Sequence, residues 1–378
     1  MKAYKFKLKS NKKFAEAAER VLNTCRELYN AGLQERRDAY QFGCISLNYH
    51  SQAIQLPDIK ETRPDVKEIY SQVLQDVLRR LDKAFDNFFR RVKTGEKPGY
   101  PRFKSKDRYD SFTYPQSGFR VEGDKLHLSK LGSCRFRLSR PIEGTIKTCT
   151  IKRECDGWYV IFTVEPNQCR HIPKTGKKVG VDVGLTHFAT LSTGEKIENP
   201  RFFRKTADDL AKAQRKLQTK ERGSNKRKAA KKVVRQLHCK IANQRKDFAH
   251  KTANGLLKRF DEIHIEDLNI KGMVKNSHLS KSISDVGWGI FFSVATYKAA
   301  DAGKKVVRKI PSGTSQTCCE CGHRLEVKLK LSERVFVCPQ CDNIKDRDHN
   351  SGINILNGRA SRRERNLSES PSIAGLPV

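Results

Sequence analysis

Val179-Gly180-Val181-Asp182-Val183-Gly184 is an apolar run with one carboxylate inside it. Its short, β-branched composition predicts a buried strand. An acid in such a strand costs several kcal/mol unless it is paired or bound to a cation. Asp182 is therefore a candidate functional residue. Downstream, 188–192 and the turn at Thr193-Gly194 predict a hairpin partner. Upstream, the polar run 167–178 predicts a linker, with a boundary near residue 174.

Further on, 201–260 carries 20 Lys or Arg against 4 Asp or Glu, about half of the chain's excess charge. Leu210, Leu217, Val233, Leu237, Ile241, Phe248, Leu256 and Leu257 predict long helices within it, an antiparallel pair broken near Gly223-Ser224-Asn225. So one-signed a run reads as a face that tracks phosphates rather than a merely solvated one. A strand at 262–265 ends on Glu266-Asp267. A helix follows around 283–300, then a strand at 305–310. Asp346-Arg347-Asp348-His349-Asn350 stands just before Ile353, Ile355 and Leu356, which begin a helix.

Asp182, Glu266 and Asp348 thus each lie in or at the edge of a structured element, 84 and 82 residues apart. Converging, they could hold two Mg²⁺ ions about 4 Å apart, one readying a water and the other stabilising the leaving oxygen of a phosphodiester. Mg²⁺ suits such hard oxygen donors. Asp267 competes with Glu266 and Asp346 with Asp348, and spacing does not choose between them. Each acid alone could also be a helix cap or a surface ion pair.

Cys318-x-x-Cys321 and Cys338-x-x-Cys341, 16 residues apart, have the spacing of a Cys₄ zinc ribbon, a closed and structural site. Gly322 and Pro339 suit the knuckle turns. Cys319 reads as a bystander, and His323 is the alternative ligand. Cys25, Cys44, Cys134, Cys149, Cys155, Cys169 and Cys239 read as scattered small hydrophobes. Paired CxxC motifs point to bound metal in a reducing, cytoplasmic setting.

Nearer the N-terminus, 2–9 alternates polar and apolar residues and predicts a strand rather than a signal peptide. Phe14, Ala18, Val21, Leu22, Cys25, Leu28 and Tyr29 mark a helix. Residues 40–65, with Pro57 and Pro64, predict a loop. A second helix runs from Val66 to Phe89, with Ser71, Gln72, Gln75 and Arg79 on its polar side, either solvated or reading a groove. Gly and Pro end it within 95–104, where Arg102 and Lys104 suit the phosphate backbone. Short strands across 111–166 predict a small β-barrel. The polar segment beyond Gly358 predicts a disordered tail.

The 378 residues carry a net charge of +34, with 37% hydrophobic and 31% charged residues. Charge spread over the whole chain calls for a polyanion, and nucleic acid is the expected partner. No run approaches the ~18 apolar residues of a membrane span. No basic amphipathic terminal helix or lipidation motif appears, so no membrane partner is expected.

Several motifs in order resemble the TnpB family, the RNA-guided nucleases encoded by bacterial insertion sequences and related to compact type V CRISPR effectors. They are Leu81-Asp82-Lys83-Ala84-Phe85 with Phe88-Phe89, Pro98-Gly99-Tyr100-Pro101-Arg102-Phe103-Lys104 and Gly180-Val181-Asp182-Val183-Gly184-Leu185. Ile265-Glu266-Asp267-Leu268-Asn269 with Lys271-Gly272-Met273, the two CxxC pairs, and Asp346-Arg347-Asp348-x-Asn350 complete the set. The resemblance implies that Asp182, Glu266 and Asp348 are the triad of a RuvC-type, ribonuclease H-like domain with Asp267 and Asp346 as neighbours. That multidomain α/β and α+β chain would have a wedge-type β-barrel at 1–10 and 108–174, interrupted by a helical recognition lobe at 11–107. A nuclease domain at 175–315 and 344–357 would hold the zinc ribbon, 316–343, as an insertion, and 358–378 would be tail. Arg334 would be an auxiliary phosphate contact.

The partners so implied are a guide RNA from the end of the mobile element and a double-stranded DNA target, with a monomeric protein in the complex. Ser71, Gln72 and Gln75 would read the short motif beside the target. The protein would hold the guide–target heteroduplex by shape and charge. The displaced strand would run along the 201–260 track to the carboxylates. This chain departs from the family pattern at His349, at Ser351-Gly352 in place of two alanines, and at Asp342 in place of glycine. The alternatives are a guide-dependent repressor that does not cleave and a protein-only transposase or recombinase.

Overall fold

The computed structural model describes residues 1–167, 172–327, 329–330 and 332–358. Cys169 and, Gly358 apart, the expected tail lie outside the described residues. The chain divides into two compact units, Met1–Gln168 and Cys169–Val378.

In the first unit, β1 (Lys2–Lys7) turns Tyr4 and Phe6 inward. Asn11 caps α1 (Lys12–Gly43) by accepting the Phe14 N–H, satisfying one orphan donor of the first turn. Exposed Cys44 closes α1 in a left-handed conformation, φ 52°. Three short helices, α2 (Tyr49–Ala53), α3 (Leu56–Thr62) and α4 (Pro64–Lys67), replace the expected loop. Pro57 and Pro64 sit in first turns, where the missing N–H had no partner to lose, so here proline starts helices rather than stopping them. Val66 therefore belongs to α4, and α5 (Ser71–Lys93) begins later than the periodicity implied. Its stripe of Val73, Leu74, Val77, Leu78 and Leu81 is buried in the same core as the apolar face of α1.

The strands of this unit are β2 (Ser111–Tyr114), β3 (Phe119–Glu122), β4 (Lys125–Leu128), β5 (Gly132–Arg135), β6 (Thr145–Glu154) and β7 (Gly157–Glu165). An antiparallel sheet runs β1-β7-β6-β2, and β3-β4-β5 forms a second. One isolated bridge, Leu8–Phe136, links their margins. A barrel needs a ladder that continues around the circuit. Among the described residues these are two open sheets, not the closed barrel that the strand count implied.

The second unit opens with β8 (Lys178–Val183), β9 (His187–Leu191) and β10 (Lys196–Glu198). Then α6 (Phe202–Gln218) and α7 (Asn225–Arg259) pack as the expected hairpin, broken at Gly223-Ser224 with Ser224 capping α7. The next strand, β11 (Glu262–Glu266), is followed by α8 (Ile270–Met273), α9 (Ser280–Val286) and α10 (Trp288–Asp301). The helix expected at 283–300 is split because Gly287, at φ 73°, ends α9 in the left-handed region. Last come β12 (Lys305–Lys309), β13 (Val335–Val337), β14 (Ile344–Asp346) and α11 (Arg347–Asn357). Helix α11 starts earlier than its apolar residues implied, so Asp348 lies inside its first turn.

The sheet order is β10-β9-β8-β11-β12, with β8 antiparallel to β9 and parallel to β11, which is parallel to β12. The chain leaves β8 to one side and, after the helical hairpin, returns on the other. Val179, Val181, Ile263 and Ile265 turn toward α7 and α10 and form the core with Phe188, Leu256, Phe291 and Ala295. Their alternates face α11. A Cβ on Gly180 would lie 2.0 Å from the Gly352 carbonyl oxygen, so glycine alone lets α11 settle on β8. A Cβ on Gly352 would in turn lie 3.1 and 3.2 Å from the backbone of Ser192 and Leu191, tighter than ordinary contact, which gives the departure from alanine a packing reason. No helix among the described residues is long and apolar enough to cross a membrane.

Candidate active site and metal centre

Strand register decides which acids meet. Ile265 pairs with Val181 across the parallel strands β11 and β8, so Glu266 and Asp182 are the next positions on each and turn to the same face. They stand at the C-terminal strand ends beside the point where strand order reverses, where open α/β sheets bind ligands. Helix α11 lies on that face and brings Asp348 over it. Burial first, then the negative charges of Glu266 and Asp348, push the Asp182 carboxyl well above the usual carboxylate range. Burial likewise raises Glu266, opposed by a 2.5 Å hydrogen bond from the Thr314 hydroxyl. The three carboxylates do not all close to within 4.8 Å of one another, as the four sulfurs do.

The competing acids are engaged elsewhere. Asp267 turns to the opposite side and pairs with Arg308 at 3.2 Å. Asp346 is the N-cap of α11, accepting the Asp348 and His349 N–H groups at 3.0 Å. Burial would raise its carboxyl, but the Lys196 ammonium at 2.7 Å and those amides outweigh it and hold it below the usual range. Two guanidiniums approach Asp348: Arg347 at 3.4 Å and Arg334 at 3.7 Å. Arg334 also donates to Thr186 Oγ1 at 3.1 Å.

In the knuckles, the Cys318–Cys341 and Cys321–Cys338 sulfurs are 3.7 and 3.5 Å apart. Tetrahedral zinc with bonds of about 2.3 Å places its sulfurs about 3.8 Å apart, so the four fit one such ion. Each knuckle has the same hydrogen bonds: Gly322 N–H to Cys318 O in one, Asp342 N–H to Cys338 O in the other. Gly322 and Asp342 share a positive φ, 76° and 54°. Burial opposes ionisation of Cys318, but the Cys321 and Glu320 amides and the Asn343 side chain bring it down to about 6, as a metal-binding thiolate requires. Cys319 stays out of the cluster, its sulfur 3.5 Å from the Lys345 ammonium.

Sequence reasoning missed what joins the two centres. Asn350 is fully buried; its Oδ1 accepts the Cys319 N–H at 2.9 Å and its Nδ2 donates to Thr317 O at 2.8 Å. One turn on, Asn354 Nδ2 donates to the carbonyls of Thr314 and Thr317. The loop holding Thr314 against Glu266 is thus clamped to the helix holding Asp348. An isolated glycine inside an apolar strand was a readable signal for the Gly180 approach. Nothing in the sequence marked Thr314.

The remaining candidates lie in the first unit. Ser71 Oγ accepts from Lys60 at 2.8 Å, and Gln72 Oε1 accepts from the Ser117 amide and hydroxyl at 3.3 and 3.2 Å. Gln75 is half-buried on α5, and Arg102 is exposed. Asn30 holds the main chain of Lys104 from both sides, at 2.8 and 3.0 Å.

Three family models match: one described as "Probable transposase" over 161–277, one as "Cas12f1-like, TNB domain" over 288–355, and one as "Helix-turn-helix domain" over 1–43. The last stretch here holds β1 and one long helix, not two helices and a turn. In a cryo-EM structure described as the Cas12f1-sgRNA-target DNA complex, a chain 17% identical superposes with a TM-score of 0.60, over 93% of this chain and 84% of that one. Fold and matched models define a Cas12f1-like multidomain α/β protein with a RuvC-type transposase domain and a cysteine cluster. InsQ of Escherichia coli (strain K12) is 32% identical over 375 residues, covering 94% of this chain and 92% of its own. A Streptomyces pristinaespiralis protein is 35% identical over 365 residues, 94% of this chain and 88% of its own. Both carry names that mark them, provisionally, as RNA-guided DNA endonucleases. At that similarity over nearly full length, the chain belongs to the TnpB family of IS605-type transposon proteins.

Proposed function

We propose that this chain is an RNA-guided, Mg²⁺-dependent DNA endonuclease of a mobile element, and that Asp182, Glu266 and Asp348 are its catalytic carboxylates in a ribonuclease H-like, RuvC-type domain. The observation that carries this is the Asp182 carboxyl held among Glu266 and Asp348, three acids from remote segments, on a chain that matches InsQ over 94% of its length. Structural economy alone gives no reason to gather buried acids. Bound between them, two Mg²⁺ ions would supply an activated water and a counter-charge for the leaving oxygen. Thr314 orients Glu266, the Asp346 cap and Arg347 orient Asp348, and Arg334 stands ready to move from Asp348 to a phosphate. The paired charges of α6 and α7 hold the strand backbone. The four cysteines hold one structural zinc. We read 11–107 as the recognition lobe, with Gln75 and Arg102 its freest nucleic-acid contacts and Lys104, its ammonium over the Tyr29 ring, a third.

The test is to purify the protein from cells carrying its flanking element, sequence the bound RNA, and assay matched target DNA with Mg²⁺ or EDTA. We expect a guide RNA, cleavage only with Mg²⁺, and in Asp182→Asn a loss of at least about 10³-fold in rate with guide and target binding intact. Absence of bound RNA, or an Asp182→Asn variant that cuts like its parent, would remove this reading. Strand joining without RNA would favour a protein-only recombinase.

A further inference from the structure

A cleft of about 210 Å³ opens in the second unit, lined by Leu185, Thr186, Asn199, Arg201, Arg204 and Ser282. It is smaller than the ~300–1,000 Å³ of small-molecule sites and has no aromatic wall on which a base could stack. Its chemistry is cationic. Arg201 and Arg204 are exposed, and neither has an ion-pair partner among the described residues. The carboxylate in the cleft, Asp285, is already neutralised by Arg245 at 2.9 Å. It also accepts the Phe203 and Arg204 amides, so the N-terminus of α6 is occupied and the free positive charge is that of the two guanidiniums. Asn199 shapes the entrance, donating to Leu185 O at 2.8 Å and accepting the Arg201 N–H at 3.2 Å. Arg201 itself holds φ at 50°, a left-handed conformation that costs a side-chain-bearing residue about 1 kcal/mol or more.

The cleft adjoins the carboxylates. Arg334 donates through Nη2 to Thr186, a lining residue, while its Nη1 faces Asp348. One guanidinium therefore separates the two places.

We propose that this cleft is a phosphate subsite for the strand being cut, in which Arg201 and Arg204 grip a phosphodiester flanking the one at the carboxylates and so aim the scissile bond. This rests on the endonuclease reading. Planar guanidiniums fork onto phosphate oxygens, and the size and lining favour backbone over base.

The experiment uses guide-loaded protein and a target whose phosphates near the cut are replaced singly by neutral methylphosphonates. Single-turnover cleavage is compared between the parent and an Arg201→Gly/Arg204→Ala variant, glycine being at ease at the left-handed position. One methylphosphonate beside the cut is expected to slow the parent tenfold or more and to slow the variant no further, since both changes remove the same contact. Guide and target affinity should change less than twofold. An Arg201→Lys/Arg204→Lys variant should recover only part of the rate. Losses that multiply at every position, or a variant as fast as its parent, would overturn the subsite. So would a cleavage defect matched by an equal loss of target binding. A parent that cuts no unmodified target would overturn the endonuclease reading, and this subsite with it.

Discussion

The cysteine knuckles and the carboxylate cluster lie in the same unit and both gather ligand atoms, but they are built in opposite ways. Each knuckle closes within five residues by its own hydrogen bonds, and the two together set their four sulfurs near the separation zinc needs. The carboxylates come from two strands and a helix. Strand register, side-chain alternation and one glycine contact bring them together, and they do not all close to within the 4.8 Å that the sulfurs share. Matched donors of one local motif define a site by themselves. Like charges from separate elements need a scaffold that holds them against their own repulsion.

The largest effect should come from breaking the local site. Cys338→Ser removes a buried sulfur from the proposed zinc site, and such a metal contributes on the order of 10 kcal/mol in comparable peptides. Zinc per chain, by mass spectrometry, should fall from one to near zero, and proteolysis should open the 316–343 segment. Retained zinc with an unchanged melting profile would mean that the knuckles do not form a metal site. Breaking the scaffold should weigh less on stability and more on chemistry. Gly180→Ala drives a methyl group into the Gly352 carbonyl, an overpacking cost of about 1–3 kcal/mol. Because α11 must shift, cleavage should fall about 10²-fold while zinc content stays at one. Parent-like cleavage would mean that α11 is not held where the comparison requires. The smallest effect sharpens the local side. Asp342→Gly relaxes the knuckle's φ of 54° and should raise stability by about 0.5–1 kcal/mol, read as slower zinc release to a chelator.

The same contrast governs what was legible. Spacing alone exposed Cys318, Cys321, Cys338 and Cys341, because their geometry is local. The apolar run around Asp182 exposed its strand and its anomaly. The β8–β11 register, which no spacing encodes, turns Glu266 rather than Asp267 toward Asp182; in the sequence only the resemblance favours Glu266. Spacing does not separate Asp346 from Asp348; in the structure α11 begins between them, with Asp346 as its cap. Elsewhere, the prolines of 40–65 suggest a loop although Pro57 and Pro64 start helices, and apolar spacing runs through Gly287, which divides the helix. In the first unit, strand count suggests a barrel but does not reveal where pairing stops, and the described strands form two open sheets.

The Asn350 clamp sets an order of assembly. A ribosome delivers Asp182 and Glu266 well before it delivers 318–350, so the nascent protein carries two acids without the third. Asp348 arrives with the helix whose buried amide grips the first knuckle at Cys319, so that seating the last acid and folding the cysteine segment become one event. Until that event the half-made chain would hold two of the three proposed catalytic acids without the helix that carries the last.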